Sequence, residues 1–359
     1  MKKAFKPYKL PLNLNNDILV ELYKKAITAR NKLVEFSVLL ERNLTSENII
    51  WMLSLNESLQ STRIEGTQAT FDEVIEAEIT NKKNVDILEV QNYLEALNIG
   101  SEMLKNVPIS TRLILKLHET VLKNGRGKNR GPGEYRKIQN WIGPTKKIED
   151  ATYIPPEPQK IEEYIKNLEQ YINDEIAEEI DPIIKIAIIH AQFETIHPFL
   201  DGNGRVGRIL IMLYLLEKKI VATPTFFVSG ELEKNKFKYY QLLNNLRTAE
   251  PQWKEWILFF LDAVISQAEK NIEKLRNIEE LYFRLKDYCF KNNIKEKYLN
   301  AIFKNPVFTI NFLSKATNSS YTATNTNIKK LLNSGVIYQD DKRRNKLFYF
   351  SDLMDILRN

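Results

Sequence analysis

Apolar residues recur at three- and four-residue spacing along most of this chain of 359 residues, and that spacing predicts helices. Residues 16–43 set Leu19, Leu22, Tyr23, Ala26, Ala29 and Leu33 on one face. A second helix is predicted over 46–65, stopped by Gly66. Residues 86–124 read as two helices, with His118 structural in the second. Residues 159–176 carry Ile161, Tyr164, Ile165, Leu168 and Tyr171 as an apolar face. Residues 183–195 are nearly all apolar and hold His190 as a core residue, and 203–217 repeat Val206, Ile209, Leu210, Leu213 and Leu216. Further helices are predicted over 234–248 and 253–277, the last turning polar from Gln267 onward. Two stretches read as hairpins instead. Residues 134–156 set aromatic and β-branched residues around a polar turn, and Val336-Ile-Tyr pairs with Leu347-Phe-Tyr-Phe around a basic tip. Before the second hairpin come a short strand and helix from Phe308, a turn at 318–321 and a helix over 322–334. The predicted class is mainly α.

One stretch interrupts the apolar regime. Residues 196–208 read Ile-His-Pro-Phe-Leu-Asp-Gly-Asn-Gly-Arg-Val-Gly-Arg, a polar island between two oily runs. Gly202, Asn203 and Gly204 fall at the N-terminus of the helix predicted over 203–217. Free backbone N–H groups and the positive end of the helix dipole make that turn an anion cradle. Arg205 and Arg208, three apart, share a face and can clamp phosphate oxygens. Asp201 offers the hard oxygen that Mg²⁺ accepts when it also binds nucleotide phosphates. His197 can take a proton near neutral pH. Together these residues predict a polyphosphate–metal site with a general base beside it. Gly202, Gly204 and Gly207 also spell a nominal dinucleotide fingerprint, but a helix and His-Pro precede it where that motif requires a strand. The glycine-rich loop at 125–133 lacks the Gly-Lys-Ser/Thr ending of a P-loop. Upstream, Ser61-Thr-Arg-Ile-Glu65-Gly66 closes the second helix, which sets the Glu65 carboxylate against the negative end of the dipole, where a nearby cation would relieve it.

The 197–208 stretch resembles the signature of the Fic family, His-Pro-Phe-x-Asp/Glu-Gly-Asn-Gly-Arg-x-x-Arg, at every fixed position. The resemblance implies an all-helical Fic core with a small β-hairpin flap, here 134–156, which holds a target segment by strand-like pairing. It implies Mg²⁺-dependent transfer of AMP from ATP to a Ser, Thr or Tyr hydroxyl of a partner protein, self-modification included. In that scheme His197 deprotonates the hydroxyl and Asp201 holds Mg²⁺. Gly202, Asn203 and Gly204 cradle phosphate, and Arg205 and Arg208 neutralise the leaving pyrophosphate. Tyr240, or Leu243 beside it, packs on adenine. Ser61, Glu65 and Gly66 match the Ser/Thr-x-x-x-Glu-Gly/Asn motif of one class of Fic proteins. That match implies autoinhibition, with Glu65 paired to Arg208 and blocking the γ-phosphate. A preference of about 2.7 kcal/mol for the paired state is enough for hundredfold inhibition.

The implied organisation is an N-terminal helical segment over 1–85, a catalytic core over 86–265, a connecting helix over 266–290 and a final segment over 291–359. The helix-turn-helix and hairpin of that last segment resemble a winged helix. It holds twelve Lys or Arg against five Asp or Glu, so the net +6 of the chain resides there and the remainder is slightly acidic. Lys329, Lys330, Lys342, Arg343 and Arg344 can meet phosphate, whereas Asp340 and Asp341 suit a protein contact, so DNA and protein stay open as partners. The single cysteine, Cys289, allows neither an intrachain disulfide nor a thiolate zinc site. The N-terminus has no apolar leader and no long uncharged apolar run occurs, so a cytoplasmic protein with no membrane contact is expected. Two other functions stay open. One is a different transfer, or de-AMPylation, on the same site. The other is a nucleotide-sensing, DNA-binding regulator. Monomer and homodimer are both open.

Overall fold

The computed structural model describes residues 3–42, 46–80, 84–145, 147–176, 179–342 and 346–358. Among them the α-helices follow in order: α1 (Asn16–Arg42), α2 (Ser46–Ile64), α3 (Phe71–Thr80), α4 (Val85–Leu104), α5 (Thr111–Val121), α6 (Ile161–Ile172), α7 (Pro182–Ile196) and α8 (Asn203–Glu217). Then come α9 (Ser229–Lys234), α10 (Lys236–Asn245), α11 (Trp253–Lys291), α12 (Glu296–Lys304), α13 (Ile310–Ala316), α14 (Tyr321–Asn333) and α15 (Ser351–Arg358). Three short strands, β1 (Val307–Phe308), β2 (Tyr338–Gln339) and β3 (Phe348–Tyr349), complete the set. The mainly α expectation holds. No described helix is long and apolar enough to cross a membrane.

The chain divides into two compact units. The first comprises Met1–Glu35, Glu57–Ala69 and Asn84–Glu269. Its centre is α7, which packs against α6, α8 and α10, while α8 also packs against α4 and α5. Residues from Ile183 to Ile196 on α7 are buried without exception, so this is an interior helix, mostly apolar, with its few polar side chains needing partners. Its six isoleucines are indifferent helix formers; burial, not propensity, keeps them helical. The start is fixed by Pro182 in the first turn and by Asp181, whose side chain accepts from the Ile183 N–H at 2.8 Å. Lys185, the lysine of α7, is neutralised by Asp174 at 2.5 Å and lies 4.4 Å from the Tyr171 ring centroid. Trp256 of α11, fully buried, donates Nε1–H to the Ala187 carbonyl at 2.8 Å.

The second unit comprises Phe36–Asn56, Thr70–Lys83 and Lys270–Asn359. Its sheet has the order β1-β3-β2, antiparallel throughout, with Val307 opposite Tyr349 and Gln339 opposite Phe348. Side-chain caps start two of its helices: Thr309 accepts from Phe312 N–H and Ser320 from Ala323 N–H. Phe308 stacks on Phe348, and Phe303 meets Phe350 edge-on. Arg343 and Arg344 of the expected basic tip lie outside the described residues.

Several sequence expectations change. Helix α11 runs unbroken to Lys291, so the helix expected over 253–277 and the connecting helix expected over 266–290 are one. The helix expected over 159–176 is α6, preceded by a 3-10 turn at Pro158–Lys160, and the chain turns away at Asp174, φ 59°. The hairpin over 134–156 is reduced to one antiparallel bridge between Ile142 and Tyr153. Side chains have taken the carbonyls a longer ladder would use: Arg136 donates to Ile138 and Pro156, and Gln139 to Asn140 and Pro155. Helices α3, α12 and α15 had no forecast. They are short, and packing, not repeat length, stabilises them.

Burial favours the neutral ring of His190 on α7 and pushes its pKa down to about 3, while Nε2 meets the Tyr239 hydroxyl at 3.0 Å. A folded pKa below the unfolded one contributes stability that is present above about pH 6.5 and is lost as pH falls. Urea unfolding of wild type and His190→Asn at pH 7.5 and pH 5 therefore has a defined outcome. Between the two pH values the wild type loses about 2 kcal/mol more than the variant; parallel losses contradict the assignment.

Candidate active site

The junction between α7 and α8 is built by two residues in left-handed backbone conformation. His197 closes α7 at φ 48°, ψ 60°, and its N–H donates to Phe193 O at 2.9 Å. Gly202 opens α8 at φ 79°, where a Cβ would be strained. Between them the loop is clasped by Asn203. Its Oδ1 accepts from Phe199 N–H and its Nδ2 donates to Phe199 O, both at 2.9 Å. His118 of α5 supports the same loop from beneath. Its ring lies 3.6 Å from that of Phe199 and nearly parallel, and its Nδ1 accepts from Gly133 N–H at 3.0 Å. That acceptor role leaves the proton on Nε2, which donates to Asp201 O at 3.0 Å. Burial pushes this imidazole down to about 4, consistent with a neutral ring.

The side chains expected to do chemistry converge here. The Asp201 carboxylate accepts from Gly202 N–H at 2.6 Å and from Arg205 Nη2 at 3.1 Å through the same oxygen, Oδ1. Its other oxygen approaches Gly127 so closely that a Cβ there would lie 2.6 Å away. Among the described residues no group of three His, Cys, Asp or Glu is placed to hold a metal. One partly exposed carboxylate instead fits an ion that takes its remaining ligands from phosphate and water, as Mg²⁺ does. Asn203 spends its side chain on the loop, so only its backbone is left for an anion.

Arg208 is 2% exposed. Its Nε donates to Ser61 Oγ at 2.8 Å, and its Nη2 donates to Ser61 O at 2.9 Å and to Glu65 Oε1 at 2.7 Å. Burial pulls the guanidinium down, yet Glu65 and the surrounding tyrosines outweigh it and hold it above its ordinary value. A Cβ built on Gly204 would collide with Glu65 Oε1, so the carboxylate lies directly on the first turn of α8. Gly66 follows at φ 99° and ends α2, with its N–H on Arg63 O. Tyr240 is 40% exposed, beside Tyr239; burial raises its hydroxyl pKa, and Glu65 adds to the rise.

His197 is held by its backbone. Arg136 donates Nε–H to His197 O at 3.0 Å, and Arg247 donates Nη2–H to Glu194 O, also at 3.0 Å. Burial pushes the imidazole down to about 3, and Arg247 and Arg136 push it the same way. Two buried acids lie within reach of Arg208: Glu194 and Glu57, each pushed up to about 7 by burial and drawn back by that guanidinium. Glu57 accepts from Tyr93 OH at 2.9 Å and from Ser229. Sequence reasoning did not single out Arg136, Arg247, Glu57 or Glu194 and read His118 as merely structural. A charged or polar residue inside an apolar run, as at Glu194, is the signal that could have found them.

Two family models match, one described as Fic/DOC family over residues 108–215 and one as Fic/DOC family N-terminal over residues 23–102; together they cover just over half of the sequence. The chain belongs to the Fic/DOC family. It is 30% identical over 135 residues to a protein adenylyltransferase of Caenorhabditis elegans, 38% of this chain and 25% of that one. It is 32% identical over 181 residues to a probable protein adenylyltransferase of Aquifex aeolicus, 49% of this chain and 52% of that one. The chain thus spans between about a quarter and about half of the length of these curated relatives. A crystal structure of a Fic family protein from Desulfovibrio desulfuricans shares the fold, with a TM-score of 0.61 at 19% identity over 96% of this chain and 98% of that one.

Removing one partner of a buried charge strands the other. Arg208→Lys keeps the charge but not the fork that reaches Ser61 and Glu65 together. Its expected cost in urea unfolding is about 2–3 kcal/mol, and a loss below half of that contradicts the geometry described.

Proposed function

We propose that this protein is a protein adenylyltransferase that moves AMP from ATP to a hydroxyl side chain of a target protein and is held inactive by Glu65. The observation that carries the proposal is the place of the Glu65 carboxylate. An anion from outside the helix already rests on the N-terminal turn of α8 and on the Arg208 guanidinium. A site that satisfies a carboxylate with a helix mouth and a fork of N–H groups suits a phosphate oxygen equally well. The names of the curated relatives support the same reaction class.

In this reading the target hydroxyl oxygen attacks the α-phosphorus of ATP, the bond to the bridging oxygen breaks, and pyrophosphate leaves with that oxygen. The hydroxyl proton goes to the imidazole of His197. Gly202, Asn203 and Gly204 offer backbone N–H groups to the phosphates, Arg205 and Arg208 face the leaving group, and Tyr240 stands where it can pack on the base. Asp201 would hold Mg²⁺, which when bound spreads the negative charge of the phosphates. Preorganised charge, not covalent chemistry, then supplies most of the rate. In the 134–156 stretch, an extended target segment would pair with those backbone groups that Arg136 and Gln139 have not already taken. We assign 291–359 to a winged helix on the support of α12–α14 and the three-stranded sheet.

Incubation with labelled ATP and Mg²⁺ tests the assignment. Glu65→Gly is expected to raise transfer onto protein at least about tenfold and to tighten ATP binding; equal labelling in wild type and variant ends the autoinhibition reading. In the Glu65→Gly background, His197→Ala is expected to lower transfer by about 10²-fold or more, and near-normal labelling removes His197 as the base.

A further inference from the structure

The imidazole proposed as the base has a problem of position and of proton. Its Nδ1 finds no hydrogen-bond partner among the described residues, although the atom is buried. Across from it, in the last turn of α7, stands Glu194, 6% exposed, and its Oε1 is likewise buried without a partner. The two side chains face each other with Oε2 4.0 Å from Nδ1. That gap is too wide for a direct hydrogen bond. An unsatisfied buried polar group is unfavourable by about 1–3 kcal/mol, and a shift of the carboxylate onto Nδ1 satisfies the imidazole.

We propose that Glu194 is the positioning residue of His197: its carboxylate closes onto the Nδ1–H, fixes that tautomer, and leaves the Nε2 lone pair for the proton of the acceptor hydroxyl. The inference rests on the reading of His197 as the base. Protons balance without a further reactant. The hydroxyl proton passes to Nε2, Nδ1–H stays shared with the carboxylate, and the imidazolium so formed lies against an anion. The need for that anion is plain from the other neighbours. Arg136 and Arg247 both face His197 and disfavour its charged form. The backbone of Glu194 already works against them, and its carboxylate, once closed onto Nδ1, would add to that.

The surroundings of Glu194 also decide when it is charged. Arg208 on α8 and Arg247 after α10 favour the carboxylate, Glu65 after α2 opposes it, and Tyr239 on α10 and His190 one turn back on α7 are neutral neighbours. Burial leads, and holds the acid near 7. The neutral acid would donate to Nδ1 and move the imidazole proton to Nε2, which removes the base.

The chain has three histidines, which makes the test direct. Protein labelled with ¹⁵N-histidine gives three imidazoles, and His197→Ala identifies the one of interest. In wild type at pH 8 the His197 shifts should report a proton on Nδ1. Glu194→Met should abolish that preference, and Glu194→Gln, whose amide oxygen still accepts, should restore part of it. In the Glu65→Gly background kcat should fall about tenfold or more for Glu194→Met and less for Glu194→Gln, with KM for ATP within twofold. The neutral-pH limb of the rate profile should vanish in both. An unchanged tautomer and profile, even with a lowered Tm, means Glu194 only packs and overturns the proposal. Should neither variant fold, titration of wild type decides: a tautomer exchange with a midpoint near neutrality supports the inference, and its absence defeats it. The spectra do not depend on activity. Full labelling by Glu65→Gly/His197→Ala would sink the base reading while leaving the tautomer result to stand by itself.

Discussion

The pairing of the buried Arg208 guanidinium is the constraint on which the site depends. A guanidinium cannot discard its proton, so a fold that buries one must supply acceptors around it. Ser61 gives two and Glu65 gives one. The Ser61 contacts tie the last turns of α2 to the middle of α8 and carry no net charge. The Glu65 contact carries the charge, is 36% exposed on the acid side, and comes from the last residue before Gly66. One partner is therefore structural and fixed, and the other is electrostatic and replaceable. On the proposed reading, an anion that reaches the same turn of α8 takes the place of Glu65 without disturbing Ser61, so regulation is separate from folding.

Around that cation the loop from His197 to Gly202 is specified by side chains instead of regular hydrogen bonding. Asn203 clasps Phe199, His118 stacks on Phe199 and holds Asp201 O, and Arg136 holds His197 O and donates its own N–H to Pro198 O at 2.9 Å. Each bond satisfies a backbone group that the interruption between α7 and α8 leaves without a helical partner. Rigidity here has a purpose on the proposed reading. Donors that need not reorganise stabilise developing charge better than donors that must.

The sequence disclosed what was local and concealed what was not. Residues 197–208 lie within a dozen positions, so spacing alone predicted one helix mouth, two arginines on one face and a carboxylate beside the turn. Glu65 was legible because a carboxylate at the end of a helix demands a cation. The partners that hold the loop were invisible for the opposite reason. Arg136 and Arg247 come from 61 residues before and 50 after His197 by their numbers in the chain, and nothing in their own neighbourhoods marks them. Alternation over 134–156 suggested a ladder, but it could not reveal that Arg136 and Gln139 would occupy the carbonyls first. The short helices α3, α12 and α15 gave no periodic signal long enough to separate from loop. His118 was read as structural, and it is, but as support for the functional loop.

The charges about His197 show how position and basicity pull against each other. Arg136 and Arg247 secure the two carbonyls that flank the end of α7, those of His197 and Glu194. Neutral donors would have fixed the same carbonyls without adding to the fall in imidazole pKa that burial already imposes. Cations bind carbonyls more strongly, so the fold has favoured placement of the ring over its affinity for a proton. On the proposed reading, a base so depressed works only if negative charge arrives when the proton does. The triphosphate of the nucleotide would bring such charge, and a carboxylate poised at Nδ1 would add more at shorter range, where the protein interior screens it least.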